Sequence, residues 1–315
     1  MSIGVIGGTG LVGRHVVEAL VKSGRLDIVA SHHTRRPYDV SGVTWVACDL
    51  HNSSEASRVL RGVKTAIVCA GQLSTTAALK RDPISSILST LRIGTNVLEA
   101  AARGRLQRIV LVSSCTGYPE LARPAVERDM AAGDPPSQWF GVGWMHRYLE
   151  QQLRWYVESL GLIGSAFVLR PTLVYGPHDD FTPETGHFVP ALIRKVVERG
   201  KPIEIWGDGS QTRNLIHAAD LAGAILAVAE REATGFQAFN VASPRDVSVK
   251  EVVNHLVEID GYSDAILSYD ASRTAGPSAL RVSGAAFAAA TGWKARYDVR
   301  QGLADTVSWY RRSGR

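Results

Sequence analysis

Four glycines, Gly7, Gly8, Gly10 and Gly13, crowd the stretch "GVIGGTGLVGRH" near the N-terminus. The chemistry they offer is that of bare backbone. Gly8-x-Gly10-x-x-Gly13 meets the dinucleotide fingerprint, and Gly7-x-x-Gly10-x-x-Gly13 meets a variant of the same spacing. A tight turn lets main-chain N–H groups approach a pyrophosphate, and the helix that follows points its positive end at the same charge. The expected cradle is therefore Gly7, Gly8, Thr9, Gly10, Leu11, Val12 and Gly13.

An acidic residue that binds the ribose hydroxyls of NAD(H) should close the second strand, yet "IVASHHTRRP" offers no Asp or Glu. His32, His33, Arg35 and Arg36 stand there instead. Such cations suit a 2′-phosphate, so NADP(H) is favoured over NAD(H). Solvated loop charge is the plainer alternative for these residues. Asp49 and Leu50 of "CDLHN" are expected at the adenine, and Ala70 and Gly71 of "CAGQL" along the cofactor after the fourth strand.

The elements that must position these groups alternate along the first half of the chain. Short β-rich runs such as "AIVCA" and "RIVLVS" are apolar throughout, as strands buried on both faces of a parallel sheet must be. Amphipathic helices lie between them, and right-handed crossovers then give a doubly wound α/β sheet of Rossmann type. A long helix is expected from about Trp139 to Ser159, before the buried strand "SAFVLRP". Residues 1–175 read as the nucleotide-binding domain, with 212–240 returning to it, and 176–315 as a smaller α/β substrate lobe.

Composition narrows the partners. Of 315 residues, 45% are apolar and 21% charged, ordinary for a globular chain with a sizeable core. The net charge of +5 is spread without a basic block, which favours an anionic small ligand over nucleic acid. No apolar run reaches the ~18–20 residues of a membrane span. The chain opens directly into a strand without a signal-like segment, and its three cysteines sit in core-like contexts. A cytoplasmic location is expected.

Further stretches carry a resemblance: "GGTGLVG", "IGTNVLEAA", "VLVSS", "FVLRPTLVYGP", "WGDGSQTRNLIHAADLA" and "FNVAS". Together they resemble the extended short-chain dehydrogenases of the nucleotide-sugar epimerase/dehydratase family over nearly the whole chain. "SSCTGYP", "LVYGPHDDFTPETGHFVPALIRK" and "IEIWGDGSQTRN" are most similar to its GDP-L-fucose synthase branch, NADPH-dependent epimerase-reductases of a keto-deoxy sugar nucleotide. The resemblance implies that Ser113 orients the substrate carbonyl and that Cys115 and His187 are the acid and base of epimerisation. It also implies that Arg213 and Arg194 or Lys195 contact the nucleotide diphosphate, with Trp206 along the substrate and a homodimer as the assembly.

One departure is plain. The family's reducing dyad reads Tyr-x-x-x-Lys on a helix, where the Tyr donates a proton as hydride arrives and the Lys lowers its pKa. Here the helix reads "QWFGVGWMHRYLE", from Gln138 to Glu150. One alignment puts Phe140 and Trp144 in the dyad slots, and a second puts Val142 and His146 there. Neither supplies a phenol, so the groups left for proton transfer are Ser113, Cys115, His146 and His187. The leading expectation is an enzyme acting on a nucleotide-linked keto-deoxy sugar, with acid–base chemistry retained and the hydride step altered. A pocket for an apolar intermediate, lined by Trp139, Phe140 and Trp144, and a non-catalytic NADP(H)-binding protein are the alternatives.

Overall fold

Strands without polar side chains must be covered on both faces, and the sequence supplies the covers in alternation. The computed structural model describes residues 2–71, 82, 84–183, 185–272 and 280–314. Its central sheet comprises β1 (Ile3–Ile6), β2 (Ile28–His32), β3 (Val43–Ala47), β4 (Thr65–Val68), β5 (Arg108–Val112), β6 (Ser165–Pro171) and the later strand Gly235–Val241. The order is Gly235–Val241, β6, β5, β4, β1, β2, β3, and every neighbouring pair is parallel. The chain steps outward from β1 to β3 and then resumes on the other side of β1. A crevice therefore opens at the C-terminal ends of β1 and β4, the switch point at which such sheets take ligands. The chain forms the doubly wound α/β sheet expected of it.

Helices Ser53–Val59, Ser85–Arg103 and Phe140–Arg154 cover one face, where Val97, Leu98 and Leu153 pack on Ile109 and Val168. Leu11–Lys22 and Ala218–Ala229 cover the other, burying Val16, Leu20, Leu221 and Ile225 against Val5, Ile67 and Phe167. Full burial of each such side chain contributes about 1.5–3 kcal/mol. A third core joins helices Phe188–Val197, Val249–Asp260 and Val299–Arg312 to the parallel strand pair Ile203–Trp206 and Leu267–Asp270. Local signals set these helix ends. Ser248 accepts from the N–H of Glu251, Gly261 turns left-handed at φ 65°, and Asp298 with Gln301 forms a capping box.

The chain does not stay in that second lobe. Phe287 packs edge-on against Phe239 of the central sheet at 5.6 Å between ring centres. The Asp220 carboxylate at the start of helix Ala218–Ala229 accepts from the N–H groups of Arg296 (2.9 Å) and Tyr297 (3.1 Å). The long helix expected to end near Ser159 is α-helical only over Phe140–Arg154 and finishes as a π-helical turn, Trp155–Ser159. No helix among the described residues is long and apolar enough to cross a membrane.

Candidate active site

At the switch point the glycines do what no other residue can. Gly7 has φ +91°, and a Cβ on it would lie 2.9 Å from the backbone of Ala70 at the end of β4. A Cβ on Gly13 would fall on the carbonyl oxygen of Gly7. The loop is tied to β2 by Gly8 N–H donating to Ser31 O and Gly7 N–H donating to Ser31 Oγ, both at 2.8 Å. Helix Leu11–Lys22 starts at Gly10 with no side-chain cap, so its first turn offers its N–H groups to an anion. At the end of β2 the buried His32 Nδ1 has no partner, and neither does Trp45 Nε1 beside it. A backbone cradle at an uncapped helix N-terminus fits the pyrophosphate of a dinucleotide.

His33, Arg35 and Arg36 are exposed on the loop that follows. Asp49 is half-buried, and its carboxylate accepts from His51 N–H (3.0 Å) and the His51 ring (2.9 Å), which holds its pKa below the usual range. Leu50 is buried, with its carbonyl bound by Asn96 Nδ2 at 2.9 Å. Ala70 and Gly71 stand at the end of β4. Gln72 and Leu73 of the same stretch lie outside the described residues.

The end of β5 carries the second group of candidates. Ser113 is buried and donates to Glu150 Oε1 at 2.6 Å. Glu150 is fully buried and pairs with Arg170, whose Nη2 lies 2.6 Å from Oε2. Arg170 also donates to the Tyr118 hydroxyl (2.8 Å), which in turn donates to Asn240 Oδ1 (2.6 Å). This network escaped the sequence reading. The one available signal was Arg170, a charge inside the otherwise apolar buried run "SAFVLRP", where a cation requires an acidic partner.

Beyond Ser113 the chain makes a single 3-10 turn, Cys115–Gly117. Ser114 Oγ accepts from Thr116 N–H (3.1 Å) and Thr116 Oγ1 (2.9 Å), so its own proton is free to be donated outward. The turn packs hard on helix Phe140–Arg154: a Cβ on Gly143 would come within 2.7 Å of Thr116 O. Arg147 on the same helix donates to Gly117 O at 2.8 Å. Gly143 and Glu150 thus fix the rotation of the helix. Val142 adjoins Gly143, and His146 sits one turn before Glu150 on the same side.

Phe140 and Trp144 face outward, although the Arg147 guanidinium that bonds Gly117 O lies 4.8 Å from the Trp144 ring centre. They are 49% and 43% exposed and stack edge-on at 6.4 Å, with Tyr148, 54% exposed, one turn further. Both had been candidates for the dyad slots. Val142 and His146, the other candidates for these slots, lie on the opposite flank of the Gly143–Glu150 line and are half-buried.

Burial controls the charges. It pushes the Cys115 thiol up to about 12 and the His146 imidazole down to about 4. His187 is also lowered by burial, with the Asp180 carboxylate opposing. At neutral pH the site therefore holds a protonated thiol and neutral imidazoles. His187 opens helix Phe188–Val197, its carbonyl accepting from Ala191 N–H at 3.0 Å. Among the described residues no hydrogen bond joins His187 to Cys115.

In the second lobe, Arg194 Nη1 lies 3.8 Å from Glu198, while its buried Nε has no hydrogen-bond partner. Lys195 Nζ is pinned on Glu204 O at 2.7 Å. Arg213 donates to Thr212 O at 2.7 Å, and burial lowers its pKa. Trp206 ends its strand half-exposed.

Comparison with known proteins gives the family and the fold. The profile described as "NAD dependent epimerase/dehydratase family" matches residues 3–242. The probable GDP-L-fucose synthase 1 of Oryza sativa subsp. japonica is 27% identical over 316 residues, covering 97% of this chain and 90% of the relative. A dTDP-4-dehydro-6-deoxy-D-allose reductase of Streptomyces sp is 29% identical over 322 residues, covering 98% and 95%. Among solved structures, MoeE5 in complex with UDP-glucose and NAD is similar at TM-score 0.84 and 26% identity, covering 100% of both chains. UDP-glucose 4-epimerase from Thermotoga maritima, at TM-score 0.85 and 22% identity over 100% of both chains, shares the fold.

Proposed function

The chain belongs to the NAD dependent epimerase/dehydratase family, whose members act on nucleotide-linked sugars with a pyridine nucleotide, and from that premise we propose an NADP(H)-binding enzyme that exchanges protons beside the keto group of a nucleotide-linked keto-deoxy sugar, with a weakened hydride step. The observation that carries this reading is the packing of helix Phe140–Arg154 on the turn Cys115–Gly117. It supports Val142 and His146 as the occupants of the dyad slots.

The pyridine nucleotide, when bound, supplies or accepts hydride. The glycine loop holds its pyrophosphate, and His32, Arg35 and Arg36 meet the 2′-phosphate. Neutral His187 takes the proton from the carbon beside the keto group, and the electron pair moves onto the carbonyl oxygen. The Cys115 thiol returns a proton to carbon from the other side. Ser114, whose proton is free, hydrogen-bonds the carbonyl oxygen, a role that Ser113 cannot take while it donates to Glu150. Arg213 and Arg194 hold the diphosphate of the substrate, with Trp206 alongside. With no phenol at residue 142, reduction lacks its usual proton donor, which costs about 10²–10⁴-fold in rate.

The exposed stripe Phe140, Trp144 and Tyr148, with Leu88 and Ile84 exposed on and just before helix Ser85–Arg103, fits a second copy better than a substrate pocket. We read the enzyme as a homodimer through this face. Its three cysteines are unpaired, which suits a reducing cytoplasm.

The test is incubation with GDP-4-keto-6-deoxymannose in D₂O, following ring deuterium and NADPH absorbance together. Deuterium should enter next to the keto group with little NADPH consumed, and Cys115→Ala or His187→Ala should abolish its uptake. Rapid NADPH oxidation would overturn the weakened hydride step, and His146→Ala would identify the replacement acid. No signal with any nucleotide sugar would sink the substrate class.

A further inference from the structure

The ribose end of the cofactor groove holds one more cation, which the fingerprint does not include. Arg14 follows Gly13 directly and lies in the first turns of helix Leu11–Lys22. Its guanidinium carbon lies over the Tyr38 ring, 3.9 Å from the centroid, and the Tyr38 hydroxyl donates back to Arg14 O at 3.3 Å. Tyr38 comes two residues after Arg36, so this stack brings Arg14 against the loop that carries His33, Arg35 and Arg36. Trp45 meets Tyr38 edge-to-face, at 5.1 Å between ring centres. Trp45 in turn closes against Gly8, where a Cβ would stand 3.0 Å from its ring, and lies edge-on to His32 at 6.4 Å. A continuous wall of rings thus runs from the glycine loop to Arg14.

The bonding of Arg14 is one-sided. Nε donates to Glu18 Oε1 at 2.9 Å, one helical turn on. Among the described residues neither Nη1 nor Nη2 has a hydrogen-bond acceptor, and the side chain is 28% exposed. An i,i+4 pair on a helix surface contributes only about 0.3–0.5 kcal/mol and requires no aromatic platform from another loop. Stacking and the Nε bond together orient a planar fork whose four terminal N–H groups remain available, an arrangement that suits phosphate oxygens.

We infer that Arg14, held over the Tyr38 ring, is a specificity-determining residue that binds the 2′-phosphate of NADP(H) together with Arg35 and Arg36. The inference rests on the NADP(H) reading above and deepens it. Glu18 positions the fork through Nε and offsets part of its charge, so Arg14 adds directed hydrogen bonds more than long-range attraction.

The experiment uses the whole protein and two probes, 2′,5′-ADP and 5′-AMP, titrated by calorimetry into wild type, Arg14→Gln, Arg14→Lys and Tyr38→Leu. One charge-assisted contact corresponds to about tenfold or more in affinity. Arg14→Gln should lose about tenfold of the preference for 2′,5′-ADP while 5′-AMP binding, which also reports on an intact fold, stays unchanged. Arg14→Lys should keep part of the preference, and Tyr38→Leu should lower it in the same direction. A full preference retained in Arg14→Gln overturns the assignment, as does equal weakening of both probes, which would mark Arg14 as a support for the loop alone. No preference in the wild type would instead overturn the NADP(H) reading itself, and Arg14's role with it.

Discussion

The glycine loop and the helix Phe140–Arg154 are held by opposite means. In the loop the contacts that place the chain are made by backbone, and the space a side chain would need is filled: by Ala70 at Gly7 and by the Gly7 carbonyl at Gly13. The helix is placed by side chains, through Glu150 with Ser113 and Arg170 and through Arg147 with Gly117 O. Backbone-made binding leaves few residue types possible at each position. A side-chain-made site separates scaffold from chemistry, so the anchors Gly143 and Glu150 hold the frame whatever stands at residues 142 and 146.

The largest effect should come from restoring the chemistry within that frame. Val142→Tyr with His146→Lys is expected to raise NADPH-dependent keto-sugar reduction by about 10²–10⁴-fold in steady-state assays. A gain from Phe140→Tyr with Trp144→Lys instead would show that the helix is rotated differently in solution. Glu150→Ala attacks the scaffold. It strands the Arg170 charge in the interior and should cost about 3–5 kcal/mol in urea unfolding. A loss below about 1 kcal/mol, the range of exposed pairs, would mean that the network does not hold the helix.

On the loop side, Gly13→Ala should destabilise by about 1–3 kcal/mol, because its new methyl meets fixed backbone. Gly10→Ala should cost clearly less, since its nearest neighbour would be Gly7 O at 3.4 Å. Equal costs at the two positions would break the steric account of the loop. Both substitutions are read out by thermal unfolding with and without ADP.

The smallest effect is a pH slope. His15, two residues past Gly13, is buried among His178 (5.9 Å) and His217 (6.1 Å), with Glu18 and Asp305 as the nearby acids. Burial, and then the charge of His217, lower its pKa, although the Leu11 carbonyl, Glu18 and Asp305 pull the other way. A histidine depressed in the fold contributes stability above its unfolded pKa near 6.5 and loses it as pH falls. His187 and His146 are lowered too and act in the same direction. Asp179 opposes them: burial raises its carboxyl to about 7, so it loses stability as pH rises through the range from 3.8 to 7. The melting temperature should drop between pH 7 and pH 5, with a shallower drop in His15→Asn and a steeper one in Asp179→Asn. An unchanged slope in His15→Asn would remove that histidine from the balance.

Much of this architecture was legible in the sequence. The strands announce themselves because a sheet buried on both faces admits little but apolar residues, and the glycine spacing because only one backbone path fits. The rotation of helix Phe140–Arg154 was not legible, since two registers differ by only two residues. The bond that anchors the helix joins Glu150 to Ser113, 37 residues earlier in the chain. The partner of Ser113 was hidden for the same reason. A hydroxyl at a strand end reads as free until the carboxylate that takes its proton is found. Arg14 passed unnoticed because its platform, Tyr38, lies 24 residues away on another loop.

The path of the chain between its two lobes has a consequence for how the protein can be taken apart. After leaving the sheet at β6 it returns through helix Ala218–Ala229 and strand Gly235–Val241, and again through Phe287, before the last helix docks in the second lobe. No single cut separates the lobes. A swap of the second lobe between relatives therefore requires several grafted segments rather than one.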